Sequence, residues 1–363
     1  MTKRLLLLNG VAALLVVVNH IAYYGFIAMF NWTDRYQEVA VPNLDQVGSV
    51  SYYVLFIEHQ VAEMAIPAFL FVSGFFIAFA ARASRSGLTW EMVWSRSKKL
   101  IPPFIIWTGI FTTLEYFSPL NIAFNILYLL GRYYYIPLII QLYFLAPFLV
   151  RLVKRNWAWA LILTAAIQFS SQALRHTYFL GLDFPGRNML IDLTPVWFFP
   201  GHIFYFTIGV VAGTYLQQFS QLIVRFRWIL LGAAVAFLAL TIVEYELITL
   251  IAGKNWLGYA FSGISRNLYA VFAVLAFLAF DKVRLPYPEK LSELGTKSLG
   301  IYLLNMPAMH LVALFCYWVV PWILGIQLLL QPILFITGLG IPLIVMNLFN
   351  RPRMRFAYRY LFG

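Results

Sequence analysis

One cysteine, Cys316, stands among 363 residues. A single thiol excludes an internal disulfide and any cysteine-based metal cluster, and its place in an apolar run marks it as inert packing. Charge is equally scarce. Asp, Glu, Lys and Arg make up 11% of the chain, against about 25% in a soluble domain. No GxSxG elbow, HExxH pair or GxxxxGK[ST] loop occurs, so the familiar signatures of serine hydrolases, zinc proteases and P-loop enzymes are missing. The five histidines are scattered one per segment, and no metal is expected. There is no repeat of fixed period, no low-complexity tract and no loop long enough for a soluble domain.

What the chain has is apolar surface. It is 62% hydrophobic, with a mean hydropathy of +0.79 and 33 Phe, 22 Tyr and 11 Trp. These values place it in the membrane class, and the aromatics suit belts at the two membrane interfaces. The formal net charge of +12 does not imply a nucleic-acid partner, because the basic residues track the ends of apolar runs. The first run, Leu5 to Phe30, has a basic start, yet it is too long for the core of a signal peptide and no small-x-small cleavage site follows it. It reads as a retained span.

Apolar runs and the charges between them predict an all-α integral membrane protein: one membrane-embedded domain over 1–363, a bundle of about ten transmembrane helices. The spans fall near 5–30, 52–81, 100–117, 133–150, 157–173, 196–216, 228–247, 264–280, 298–320 and 322–349. Segment 118–132 reads as an outer amphipathic or re-entrant piece. Both termini are expected in the cytoplasm, with the protein multi-pass in the cell (cytoplasmic) membrane. This threading leaves only Arg35, Arg132, Arg175, Arg187, Lys254 and Arg266, of 26 basic residues, outside or at outer ends, as the positive-inside rule requires.

Ionisable groups inside such spans are costly and are functional candidates by default. At 1.5 Å per residue, His20, Glu115 and His202 lie roughly 22 Å above the inner ends of their spans, and Glu63 roughly 27 Å. The four therefore share a layer in the outer half of the membrane. Each also has a plainer reading: Glu115 and His202 as wet headgroup residues, Glu63 as a structural group beside Pro67, His20 as a satisfied histidine. A neutral imidazole can take a proton from an attacking hydroxyl, and a carboxylate can orient it. His20 with Glu63 has the composition of that pair. On the inner side, Arg96, Lys98 and Lys99 precede Pro102-Pro103. They read either as positive-inside anchors or as a docking site for a phosphorylated cytosolic donor.

Five segments in order carry a family resemblance. They are Gly10-Val11-Ala12-Ala13-Leu14-Leu15-Val16-Val17-Val18-Asn19-His20; the Pro67 to Phe76 stretch with Ser73-Gly74-Phe75; the basic run up to Leu100-Ile101-Pro102-Pro103-Phe104; Tyr133-Tyr134-Tyr135-Ile136-Pro137 with Gln141, Tyr143, Leu145 and Pro147; and Leu294-Gly295 through Ser298-Leu299-Gly300-Ile301-Tyr302-Leu303-Leu304. Together they resemble the membrane acyltransferase-3 family, the ten-span O-acyltransferases that modify sugars and lipids. The fourth segment is similar to the branch associated with biofilm polysaccharide acylation.

The resemblance implies transfer of an acyl group, most simply acetyl, from cytosolic acyl-CoA to a hydroxyl of a glycan or lipid-linked sugar. His20 and Glu63 would be catalytic; Arg96, Lys98, Lys99 and Arg132 would hold the donor. Asn19, Tyr135, Gln141, His202 and Asn305 would line the acceptor site, with membrane lipid around them. The chain departs from the family twice. Asn9 stands where an arginine is common, and an arginine's bidentate anion contact cannot be replaced by asparagine. Asn305 stands where the late signature usually closes on histidine. A transporter of a glycan or lipid, and an inactive scaffold, remain alternatives to the enzyme, and oligomer formation stays open.

Overall fold

The computed structural model describes residues 2–83, 87–116, 126–252 and 263–363, and every regular element among them is helical. In chain order the α-helices are α1 (Thr2–Phe30), α2 (Val50–Ala62), α3 (Ala65–Ala83), α4 (Trp90–Ser97), α5 (Ile101–Tyr116) and α6 (Ile126–Arg132). Next come α7 (Tyr135–Arg155), α8 (Trp157–Phe179), α9 (Arg187–Asp192), α10 (Ile203–Thr214), α11 (Leu216–Arg225) and α12 (Arg227–Ala252). The chain closes with α13 (Ile264–Ala279), α14 (Pro288–Thr296), α15 (Ser298–Val319), α16 (Gln327–Phe349) and α17 (Arg355–Phe362). Among the described residues six stretches are long and apolar enough to cross a membrane: Lys3–Phe30, Val50–Arg82, Tyr135–Arg155, Arg227–Ile251, Ser298–Val319 and Gln327–Phe349.

Differences from the sequence reading have local causes. The span expected at 52–81 is interrupted at Glu63 and Met64. Pro67 has no N–H, and its ring would collide with the carbonyl four residues back, which belongs to Glu63. The span expected at 196–216 holds a 12-residue helix, α10, preceded by a 3-10 turn over Phe199–Gly201. A helix of that length rises about 18 Å, short of the hydrocarbon thickness. The fifth segment is longer than expected: α8 continues to Phe179, since no glycine or proline intervenes before Gly181. Arg175 and His176 are thus helical rather than part of an outer loop. Most of the re-entrant segment expected at 118–132 lies outside the described residues, although its end forms α6.

The chain falls into two compact units, each assembled from separated stretches. The first comprises Met1–Asn9, Met64–Lys98 and Ile126–Glu289; the second comprises Gly10–Glu63, Lys99–Asn125 and Lys290–Gly363.

In the first unit, α3 and α10 lie in close contact. A Cβ on Gly74 would overlap the Phe206 carbonyl oxygen, and one on Gly209 would overlap that of Phe71. Lipid tails are as apolar as leucine, so association in a membrane depends on such close approach. Phe71 meets Gly209 and Phe75 meets Gly213; the two sequences rise together, so the helices are parallel. By the same logic α12 and α13 are antiparallel: Phe237 stacks on Phe272 at 5.4 Å between centroids, and Trp228 meets Phe280 at 5.1 Å. Arg4, at the start of α1, is buried under this unit. Its Nε donates to the Phe277 carbonyl at 3.1 Å and Nη1 to that of Val283 at 3.0 Å.

In the second unit, α15 pairs with α16 in antiparallel fashion, Gly300 against Met346 and Gly338 against Met309. The 10–30 part of α1 runs parallel to α15, because His20 meets Asn305 and Tyr24 meets His310. Beyond α1, Trp32 packs on Tyr317 at 5.2 Å. The amphipathic C-terminal helix α17 closes this unit, with the Trp107 indole donating to the Leu361 carbonyl at 2.8 Å.

Candidate functional site

The helix break produced by Pro67 leaves Glu63 as the C-terminal cap of α2. Its carboxylate accepts from the Asn19 amide at 3.5 Å, and the His59 Nε2 lies 3.6 Å away, one turn earlier on α2. Asn19 immediately precedes His20 on α1, and His59 lies within electrostatic reach of the His20 ring. The second unit thus gathers His20, Asn19, His59, Glu63 and Asn305 at one place.

The group on the His20 ring is Asn305. Its amide nitrogen donates to the Ile301 carbonyl at 2.7 Å and to that of Tyr302 at 3.0 Å. Both amide hydrogens are therefore engaged by α15's own backbone. That fixes the orientation of a fully buried side chain and leaves only the oxygen to face the imidazole. Asn305 Oδ1 hydrogen-bonds His20 Nδ1. An amide oxygen can only accept, so the network assigns the proton to Nδ1 and leaves the lone pair on Nε2. No described residue hydrogen-bonds Nε2, and the ring is only part-buried. The expected orienter, Glu63, sits instead on the Asn19 and His59 side of the cluster.

A turn further along α1, the Tyr24 hydroxyl bonds His310 Nδ1 at 3.0 Å, and Phe111 of α5 packs edge-on against the same ring. Glu115 lies one turn beyond Phe111 and is 4% exposed, which excludes a water-exposed headgroup position. Lys99, exposed, precedes α5. Asn9, three turns before His20, has its Oδ1 buried with no hydrogen-bond partner among the described residues.

The first unit holds the other expected residues. Arg96 and Lys98 end α4, Arg96 part-buried and Lys98 exposed. Arg132 ends α6. Tyr135 bonds Ser73 and lies against Phe69 at 5.8 Å. Gln141 braces the turn before α10: its amide nitrogen donates to the Pro137 and Trp197 carbonyls at 3.0 and 2.8 Å, and its oxygen accepts from Phe199 N at 3.3 Å. His202, the N-cap of α10, faces the Tyr134 ring at 6.1 Å. Among the described residues no group of three His, Cys, Asp or Glu could hold a metal ion.

Sequence reasoning missed His59 and the orienting role of Asn305. His59 is legible as the residue one helical turn from Glu63. The role of Asn305 needed tertiary pairing of α1 with α15, for which the sequence carries no spacing signal.

No curated protein and no solved structure matches the chain. A family model described as an acyltransferase domain, Acyl_transf_3, matches residues 4–347. That match runs from the start of α1 nearly to the end of α16 and includes every residue of the His20 cluster. The chain belongs to the acyltransferase-3 family and is a multi-pass membrane acyltransferase acting on groups other than aminoacyl groups.

Proposed function

We propose that the protein is an O-acyltransferase that moves an acyl group, most simply acetyl, from acyl-CoA to a hydroxyl of a glycan or lipid-linked sugar, with His20 as general base. The observation that carries this reading is the Asn305–His20 hydrogen bond. It directs the imidazole lone pair to Nε2, the ring nitrogen without a described partner.

The step balances simply. Nε2 takes the acceptor's hydroxyl proton while the oxygen attacks the thioester carbonyl. The tetrahedral intermediate collapses with loss of the CoA thiolate. The imidazolium then returns its proton to that sulfur. A cation that forms in a low-dielectric site needs a nearby negative charge. Glu63, linked through Asn19 and His59, is the carboxylate placed to supply it.

Arg96, Lys98, Lys99 and Arg132 are the proposed contacts for the donor's phosphates, and Asn19, Tyr135 and His202 are proposed for the acceptor. Gln141 is proposed to act by holding the Trp197–Phe199 turn. Ten spans with both termini in the cytoplasm complete the reading. In support of the alternation, every helix pair described above runs in the relative direction that such threading requires. Purified protein supplied with acetyl-CoA and an acceptor glycan should release CoA in an acceptor-dependent reaction that His20→Ala abolishes. Full activity in that variant would overturn the mechanism.

A further inference from the structure

The first unit contains a second polar cluster, distinct in composition from that around His20. On α8, Gln168, Ser171, Gln172 and Arg175 follow one another at spacings of three, one and three residues, which places them on one helical face. The three uncharged members are at most 7% exposed. This face meets the start of α10. Gln168 Oε1 accepts from Phe204 N at 3.0 Å, and Gln172 Nε2 donates to the Gly201 carbonyl at 3.3 Å. A Cβ on Gly201 would lie 3.7 Å from Gln172 Nε2 and 3.9 Å from Ser171 Oγ. His202 caps α10 here.

Several polar atoms at this point have no partner among the described residues. Gln168 Nε2, Ser171 Oγ and His202 Nδ1 are all buried and unbonded. The Gln168 amide nitrogen donates, the Ser171 hydroxyl can donate or accept, and His202 Nδ1 donates in the matching tautomer. Gln172 Oε1 is an unpartnered acceptor in the group. Two guanidiniums stand beside them: Arg175 and Arg266 act on each other's charge and both act on His202. Arg175 donates to the Thr194 carbonyl, which uses one of its five N–H groups.

The nearby carboxylate is engaged by backbone and histidine donors. Glu244 accepts from His176 Nε2, Ile264 N and Ser265 N, each at 2.8 Å, and so serves the N-terminus of α13. Two neighbouring cations, buried donors without acceptors and the positive end of α10 all favour the same kind of guest.

We propose that this cluster is a binding site for an oxyanion, a phosphate or carboxylate carried by a ligand that enters the first unit. The two guanidinium charges favour an anion over a neutral sugar. Arg175 supplies the planar fork that pairs with two oxygens at once.

The test is direct binding to the full-length protein in nanodiscs, without any acyl donor, so it does not depend on catalysis. Calorimetric titration would use inorganic phosphate, glucuronate and a prenyl monophosphate, with glucose as the neutral control. Saturable binding of at least one oxyanion, absent for glucose, is the expected result. Arg175→Gln should weaken it by about tenfold or more. Binding confined to the prenyl phosphate identifies a lipid-borne phosphate; competition by glucuronate identifies a carboxylate on a glycan. Failure of every anion to bind better than glucose, or wild-type affinity in Arg175→Gln, overturns the proposal. If that variant does not fold, Ser171→Ala carries the test: weaker anion binding supports the site, and unchanged affinity overturns it.

Discussion

Replacing Asn305 by leucine removes the acceptor on His20 Nδ1 while keeping the volume of a fully buried side chain. The stability cost should be modest. The Ile301 and Tyr302 carbonyls that Asn305 bonds lie four and three residues back on the same helix, where backbone N–H groups already serve them. What remains is one lost hydrogen bond and one buried imidazole N–H without an acceptor, about 1–3 kcal/mol together. The catalytic cost should be larger. Without Asn305 the ring can rotate or exchange tautomers, and a misplaced base costs on the order of a hundredfold. In a serine protease triad, loss of the correct tautomer costs about ten-thousandfold. We expect kcat to fall by about a hundredfold to a thousandfold, or about 3–4 kcal/mol, with little change in the KM for acyl-CoA. Thiol-trapping of released CoA gives both constants, and size-exclusion chromatography with a thermal melt checks the fold. A folded Asn305→Leu protein with kcat near that of wild type would refute the orienting role.

Three further outcomes follow from the geometry. Glu63→Gln keeps an acceptor for Asn19 but removes the carboxylate charge of the His20 cluster, and should lower kcat about tenfold without affecting folding, as read by the same CoA-release assay. Joint replacement of Arg96, Lys98 and Lys99 by glutamine should raise the KM for acyl-CoA about tenfold at unchanged kcat, because these part-buried or exposed charges contribute through binding alone. Gly209→Leu should destabilise the α3–α10 contact by at least about 1–3 kcal/mol, since even a Cβ overlaps the Phe71 carbonyl. A lowered melting temperature in detergent would register it.

The sequence carried the helical membrane class plainly, because long uncharged runs and basic flanks are local signals. It also marked His20, Glu63 and Asn305 as residues of interest. It could not show that Asn305, read as a departure from the family pattern, is the side chain that fixes the imidazole. That depends on α1 lying parallel to α15, and side chains 285 or 286 residues apart leave no periodic trace of their pairing. The interruption at Glu63 was accessible through Pro67, yet an 18-residue apolar window masks such a break. The polar face of α8 was legible too: Gln168, Ser171, Gln172 and Arg175 recur at helical spacing. A span ending at Ala173 cuts that face short and assigns Arg175 and His176 to a loop. The 12-residue length of α10 was hidden for a related reason, since Val196–Phe199 is as apolar as the helix that follows Pro200.

The most direct test of the account is nitrogen-15 NMR of histidine-labelled protein, with the His20 resonances assigned by their loss in His20→Gln. The account predicts a neutral ring protonated at Nδ1 with a bare Nε2, and a shift of that pattern in Asn305→Leu. A ring protonated at Nε2, with its lone pair facing Asn305, would contradict it.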